Sequence, residues 1–344
     1  MIELHFKRTN GFVDEAIDRL IESVGGIHYT EIIREMILAS LKTGQEEKNR
    51  ANLKLITTTM KEMRFTSKIF GPYRKIKKVT VFGSARAHPD EPVYEMARLF
   101  GEKLAEKGYM VITGAGPGIM GAVNLGAGPE HSFGVNIELP FEQEPNSVLL
   151  GNPRLITYKY FFNRKVAFVK EADAIVLFPG GFGTLDEAME TLTLVQTGKR
   201  DPLPLVLIDE PQGTYWTRWL RFFREEMLPD GYINESDFNL FERVDSIDTA
   251  IERINHFYHR YHSIRYVKKK LVIRLLSAID SRTVERFNKE FANILKPEGK
   301  IILSGPLPEE HDEPEIMNLP RLILDFNCKD YGRLRNLIYE INSC

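Results

Sequence analysis

Phe178-Pro179-Gly180-Gly181-Phe182-Gly183-Thr184-Leu185-Asp186-Glu187 decides how the rest of the chain is read. The run before it, Ala174-Ile175-Val176-Leu177-Phe178, has the length and apolar character of a buried strand. The run after it, residues 188–195, reads as a helix. Gly180, Gly181 and Gly183 let backbone N–H groups approach a ligand closely. A helix that opens on glycine offers free N–H groups and the positive end of its dipole to an anion. The stretch therefore reads as a phosphate cradle with a carboxylate, Glu187, close behind it. A second reading stands beside this one. Thr184 and Glu187 have the spacing of a capping box, in which the threonine caps the helix and the glutamate reaches back to its N–H.

Working outward, strands and helices alternate over residues 71–264. Apolar runs at 79–82, 109–112, 133–137, 155–157 and 205–208 read as strands. Helices are expected at about 91–107, 119–127, 159–171, 213–227 and 246–261, with a short extended piece near 241–244. Strands separated by helices of ten or more residues imply a doubly wound, Rossmann-like parallel sheet with helices on both faces. In such sheets ligands bind beyond the carboxyl ends of the strands, where the strand order reverses. Three glycine-containing turns fall at such ends: Gly83-Ser84-Ala85-Arg86, Gly114-Ala115-Gly116-Pro117-Gly118, and the stretch quoted first. The second does not fit a dinucleotide fingerprint, because Ile119 stands where the last glycine is required and the turn follows the second strand. Pro117 suits a first helical position. No Walker-type phosphate loop is present.

Residues 1–70 read as a helical extension, with a third helix over 46–69, and residues 265–344 as a small α+β unit. The acidic run Glu309-Glu310-His311-Asp312-Glu313 reads as solvated rather than metal-binding. His256, His259 and His262 near a helix end drift around it and have no acidic partner nearby, so no metal site is expected. The chain has 344 residues, with 46 Lys+Arg against 48 Asp+Glu, a balance that argues against a nucleic-acid partner. No apolar run approaches the ~18 residues of a membrane span, and no secretory leader is recognised at the start. With only Cys328 and Cys344, no disulfide framework is expected and a cytoplasmic location is the simplest.

The motifs resemble those of the LOG ("Lonely Guy") family, often labelled lysine-decarboxylase-like. The signature PGGxGTxxE is matched by residues 179–187, and an upstream RK element by Arg164-Lys165. Residues 82–86 and 114–120 match the family's two other glycine turns. Where shorter members carry MHxRK, this chain has Phe161-Phe162-Asn163-Arg164-Lys165. The long flanks look more like the bacterial nucleoside-monophosphate nucleosidases of this superfamily. The resemblance implies a phosphoribohydrolase that cleaves a nucleoside 5′-monophosphate, AMP-like or a cytokinin riboside 5′-monophosphate, into free base and ribose 5-phosphate. It implies Arg164 and Glu187 as the catalytic pair. Substrate contacts are expected from Gly83, Ser84, Arg86, Gly114, Gly116, Gly118, Phe161, Lys165, Gly180, Gly181, Gly183 and Thr184. A helix's first turn would favour ionised Glu187. No cofactor or metal is implied, and a homo-oligomer is. A nucleotide-sensing module that binds without cleaving is the alternative. Decarboxylation would need pyridoxal phosphate on a lysine, and no lysine stands in a fitting context.

Overall fold

The computed structural model describes residues 6–139 and 144–344. The first five residues of the expected helical extension lie outside the described residues. The chain divides into two compact units, residues 1–65 and 66–344. The first contains α1 (Phe12–Val24), α2 (Thr30–Glu46) and most of α3 (Arg50–Phe70). Ile17, Ile21 and Leu38 form its small apolar centre, and a buried Arg34–Asp14 ion pair at 2.5 Å joins α1 to α2.

The second unit is built on a seven-stranded, all-parallel sheet. Its elements are β1 (Lys78–Phe82), α4 (Pro92–Glu106), β2 (Met110–Thr113), α5 (Ile119–Ala127), β3 (Ser132–Ile137), β4 (Leu155–Tyr158) and α6 (Phe161–Lys170). There follow β5 (Ala174–Leu177), α7 (Phe182–Gln196), β6 (Leu205–Ile208), α8 (Tyr215–Phe222), β7 (Glu242–Val244) and α9 (Ile247–Phe257). The strand order is β4-β3-β2-β1-β5-β6-β7. All five residues of β1 are buried, as a strand covered on both faces requires. Successive side chains point to opposite faces. Val79 and Val81 join Val176 and Val206 under α4, α5 and α9. Phe82, Ile112, Ile175 and Leu177 join Phe168, Ala188 and Trp216 under α6, α7 and α8. The expected doubly wound α/β architecture is thus present. The sheet grows outward from β1 to β4, then returns to the other side of β1 with β5. The order reverses between β1 and β5, so the switch-point crevice lies between the turns that follow those two strands.

A separate antiparallel sheet, order β10-β11-β9-β8, follows in the same unit. It comprises β8 (Tyr261–Val267), β9 (Lys270–Leu275), β10 (Ile301–Ser304) and β11 (Arg321–Leu324), with α10 (Ser281–Glu290) and α11 (Tyr331–Ser343). Its core joins Leu271, Ile273, Phe287, Leu324, Leu334 and Ile338. Two expectations are corrected here. The helix over 246–261 ends at Phe257, and His262 lies on β8, because residues 261–267 pair with β9 as a hairpin. The acidic run is solvated at Glu309, His311 and Asp312, as expected, but not at Glu310. Glu310 is fully buried between Arg274 at 2.8 Å and Arg321 at 3.3 Å, and Arg265 holds Asp312 and Glu313. Among the described residues no His, Cys, Asp or Glu cluster could hold a metal, and no helix is long and apolar enough to cross a membrane. Cys328 and Cys344 are both free thiols.

Candidate active site

The turns after β1 and β5 are locked together by their backbones. The Ser84 N–H donates to the Pro179 carbonyl at 3.0 Å, and the Ile119 N–H donates to the Ser84 carbonyl at 2.9 Å. Side chains would not fit between them. A Cβ on Gly180 would lie 2.2 Å from Thr184 Oγ1 and 3.0 Å from the Gly83 carbonyl carbon. One on Gly118, whose φ is +65°, would lie 2.3 Å from the Ser84 oxygen. The Tyr215 hydroxyl of α8 holds the Gly180 carbonyl at 2.5 Å. The result is a crevice of about 710 Å³ at the switch point, lined by residues 82–86, Met120, Phe161, Arg164 and residues 180–187.

Helix α7 opens one turn earlier than the capping-box reading placed it. Its first residue is Phe182 and its cap is Gly181, with no side-chain cap bond. Thr184 is the third helical residue and is buried, so it does not cap the helix. The Thr184 and Leu185 N–H groups donate to the Gly181 carbonyl at 3.1 and 3.2 Å, so the N–H groups that a helix leaves without internal partners belong to Phe182 and Gly183, both in the crevice lining. Pro117 likewise sits ahead of α5, whose cap is Gly118.

Glu187 is only 7% exposed and lines the crevice from the second turn of α7. Its Oε2 is buried without a hydrogen-bond partner. Its Oε1 lies 3.8 Å from Lys165 Nζ. Burial is the main force on its titration and pushes it up to about 7, against an opposing pull from Lys165 and a further push from Glu190. The expectation that the helix dipole keeps it ionised is corrected on both points. Glu187 lies beyond the first turn, where the dipole fades, and desolvation dominates.

Arg164 is fixed from several sides. Its Nε donates to the Val135 carbonyl of β3 at 2.9 Å. Its guanidinium carbon lies 5.0 Å from the Phe168 ring centre and 5.9 Å from that of Phe161. It crosses the turn after β2 so closely that a Cβ on Gly114 would be 2.5 Å from its Nη2. Burial lowers its pKa, and the Glu187 charge opposes that.

The structure therefore gathers Gly83, Ser84, Arg86, Phe161, Arg164, Gly180, Gly181, Gly183, Thr184 and Glu187 around one crevice. Gly114, Gly116 and Gly118 do not line it. They permit the close approach of Arg164, accept the Asn146 side-chain amide at 3.1 Å, and pack on Ser84, respectively. Lys165 is also outside the lining. It turns to α7 and binds Asp186 at 2.8 Å and Glu190 at 2.7 Å. Sequence reasoning assigned no site place to Met120 or Phe182. Met120 stands just inside the helix that the second glycine turn opens, which was the available signal. Phe182 is 94% exposed at the mouth, and the sequence offered only its place among glycines.

Residues 120–254 match the family model described as "Possible lysine decarboxylase". A probable cytokinin riboside 5′-monophosphate phosphoribohydrolase, LOG4, of Oryza sativa subsp. japonica is 27% identical over 185 residues, covering 52% of this chain and 76% of the relative. The cytokinin riboside 5′-monophosphate phosphoribohydrolase of Mycobacterium marinum is 26% identical over 170 residues, covering 49% and 88%. Among solved structures, the X-ray structure of TM1055 aligns with a TM-score of 0.38 and 24% identity, over 52% of this chain and 99% of that one.

Proposed function

From the resemblance of the central domain to the LOG family, which the family model and the curated relatives bear out, we propose that this protein hydrolyses the N-glycosidic bond of nucleoside 5′-monophosphates. The products are free base and ribose 5-phosphate. The relatives support a nucleotide phosphoribohydrolase in general, and we assign the substrate as an AMP-like purine nucleotide or a cytokinin riboside 5′-monophosphate. The observation that carries the proposal is the Glu187 carboxyl, buried at the switch-point crevice with Oε2 unpartnered.

The 5′-phosphate seats at the start of α7, on the N–H groups of the glycine turn and the Thr184 hydroxyl. A carboxylate and a phosphate repel, so Glu187 faces the ribose. Cleavage of an N-glycosidic bond passes through an oxocarbenium-like state, as glycoside hydrolysis does. Ionised Glu187 stabilises the positive charge that builds at C1′ and takes a proton from the attacking water. The water oxygen bonds to C1′ as the C1′–N bond breaks, and the base departs with the bonding pair and takes up a proton from solvent to become the free base, while Glu187 releases to solvent the proton it took. Arg164 cannot give up its proton near neutrality, so it binds and orients ribose or phosphate. We assign a homo-oligomer, with the exposed Phe161 and Phe182 at the crevice mouth as the surface a neighbouring subunit would cover.

Incubation with AMP, GMP, CMP and a cytokinin nucleotide tests the assignment. Base and ribose 5-phosphate are expected from at least one. Glu187→Gln is expected to lose about a hundredfold or more in kcat while still binding nucleotide. Nucleotide binding without products in the wild-type protein would favour a sensing module and overturn the enzyme.

A further inference from the structure

Arg164 and Lys165 are neighbours on α6, so their side chains leave the helix about 100° apart. Arg164 enters the crevice, and Lys165 turns to α7 instead. There it meets three carboxylates that a helix brings to one side: Asp186 at 2.8 Å, Glu190 at 2.7 Å and Glu187 at 3.8 Å. Its side chain is 18% exposed and that of Glu187 is 9% exposed, whereas that of Asp186 is 60% exposed. The ammonium has three N–H bonds, and the two short contacts go to the flanking acids. Glu187 receives only the longer third contact, on Oε1, and keeps Oε2 free.

We propose that Lys165 is a positioning residue for Glu187, not a phosphate ligand: tethered by Asp186 and Glu190, it holds Oε1 and with it the orientation of the carboxyl that acts on the substrate. This rests on the assignment of Glu187 to the proposed hydrolysis. One positive charge shared among three negative ones does not neutralise Glu187. The carboxyl therefore stays basic enough to take a proton, while its orientation is held. The charged groups that act on Glu187 are Arg164 and Lys165 from α6 and Asp186 and Glu190 from its own helix, while Arg86 lines the same crevice and the Tyr215 hydroxyl of α8 is engaged by the Gly180 carbonyl. Lys165 pulls the Glu187 titration down and Glu190 pushes it up. Removing either charge moves the titration in opposite directions.

The test measures kcat and KM against pH for the wild type, Lys165→Met, Lys165→Arg and Glu190→Gln. Alongside, the Glu187 carboxyl is titrated in the nucleotide-free proteins by difference infrared spectroscopy against Glu187→Gln. Lys165→Met is expected to lower kcat about tenfold or more at pH 7, to change KM less than about threefold, and to move the acid-side limb and the carboxyl titration upward. Lys165→Arg should restore most of the position of the limb, and Glu190→Gln should move it downward. A rise in KM with kcat unchanged would make Lys165 a phosphate ligand and overturn the proposal. An unmoved carboxyl titration in both Lys165→Met and Glu190→Gln would also overturn it. If the wild type released no base, the hydrolase assignment would fail, and the infrared titration would still decide what Lys165 does to Glu187.

Discussion

Glu187 is stabilised poorly where it stands, and that has a measurable sign. Its ordinary carboxyl pKa of 4.5 is raised to about 7 by burial. Below pH 4.5 the group is protonated in both folded and unfolded chains and has no effect on their balance. Between there and about 7 the folded state holds a proton that the unfolded chain has released, so folding stability falls as pH rises. Above about 7 the penalty is complete, on the order of 3 kcal/mol for a shift of this size. Denaturant unfolding of the wild type and of Glu187→Gln at pH 5 and pH 8 is expected to show the wild type losing stability relative to the variant as pH rises. Parallel pH curves would mean that the carboxyl is not buried as described. In the proposed hydrolysis this cost in stability is the counterpart of a base poised near neutral pH.

At the scale of elements, the crevice depends on backbone turns that cannot accept side chains. Gly118→Ala would force alanine into φ +65° and drive its Cβ to 2.3 Å from the Ser84 oxygen, against a turn that is itself tied to Pro179. Strain of this kind costs about 1–3 kcal/mol. We expect a lower melting temperature together with weaker nucleotide binding, read by calorimetry, because Ser84 and the α7 turn move together. Unchanged binding in a destabilised protein would separate the two turns. Much of this was legible in the sequence. The buried strands announced themselves as apolar runs, and the glycine turns at their ends located the rim. The start of α7 was not legible, because Thr184 matches a cap by type while the tight glycine turn lets the helix begin at Phe182. The direction of Lys165 was hidden for a related reason: Arg164-Lys165 reads as one basic motif, but a helix sends adjacent side chains to different neighbours. Strand β8 was missed because His262, Ser263 and Arg265 interrupt its apolar residues, and Tyr261, Ile264 and Val267 are buried instead. Glu310 read as a surface charge because its partners, Arg274 and Arg321, arrive from distant strands.

At the scale of the whole molecule, the small antiparallel sheet is joined to the parallel one through α11. The Arg335 side chain, 6% exposed, donates to the Asn239 carbonyl at 2.6 Å and pairs with Glu242 of β7 at 2.8 Å. Nearby, Gly332 packs so closely on Ser236 that a Cβ would meet its oxygen at 2.0 Å. Arg335→Met is expected to destabilise residues 66–344 by on the order of 2 kcal/mol, since it removes a buried donor from two acceptors. Because the crevice lies on the other rim elements, kcat should remain at the wild-type value in the folded variant, and a large loss of kcat would show that the C-terminal sheet acts on the site. The proposed reaction breaks a single bond, C1′–N. Phosphorus NMR of AMP mixed with the protein, followed over time beside Glu187→Gln, tests it most directly. The AMP resonance is expected to give way to that of ribose 5-phosphate in the wild type and to persist in the variant. Persistence of AMP in both samples, or the appearance of inorganic phosphate as the first product, would contradict it.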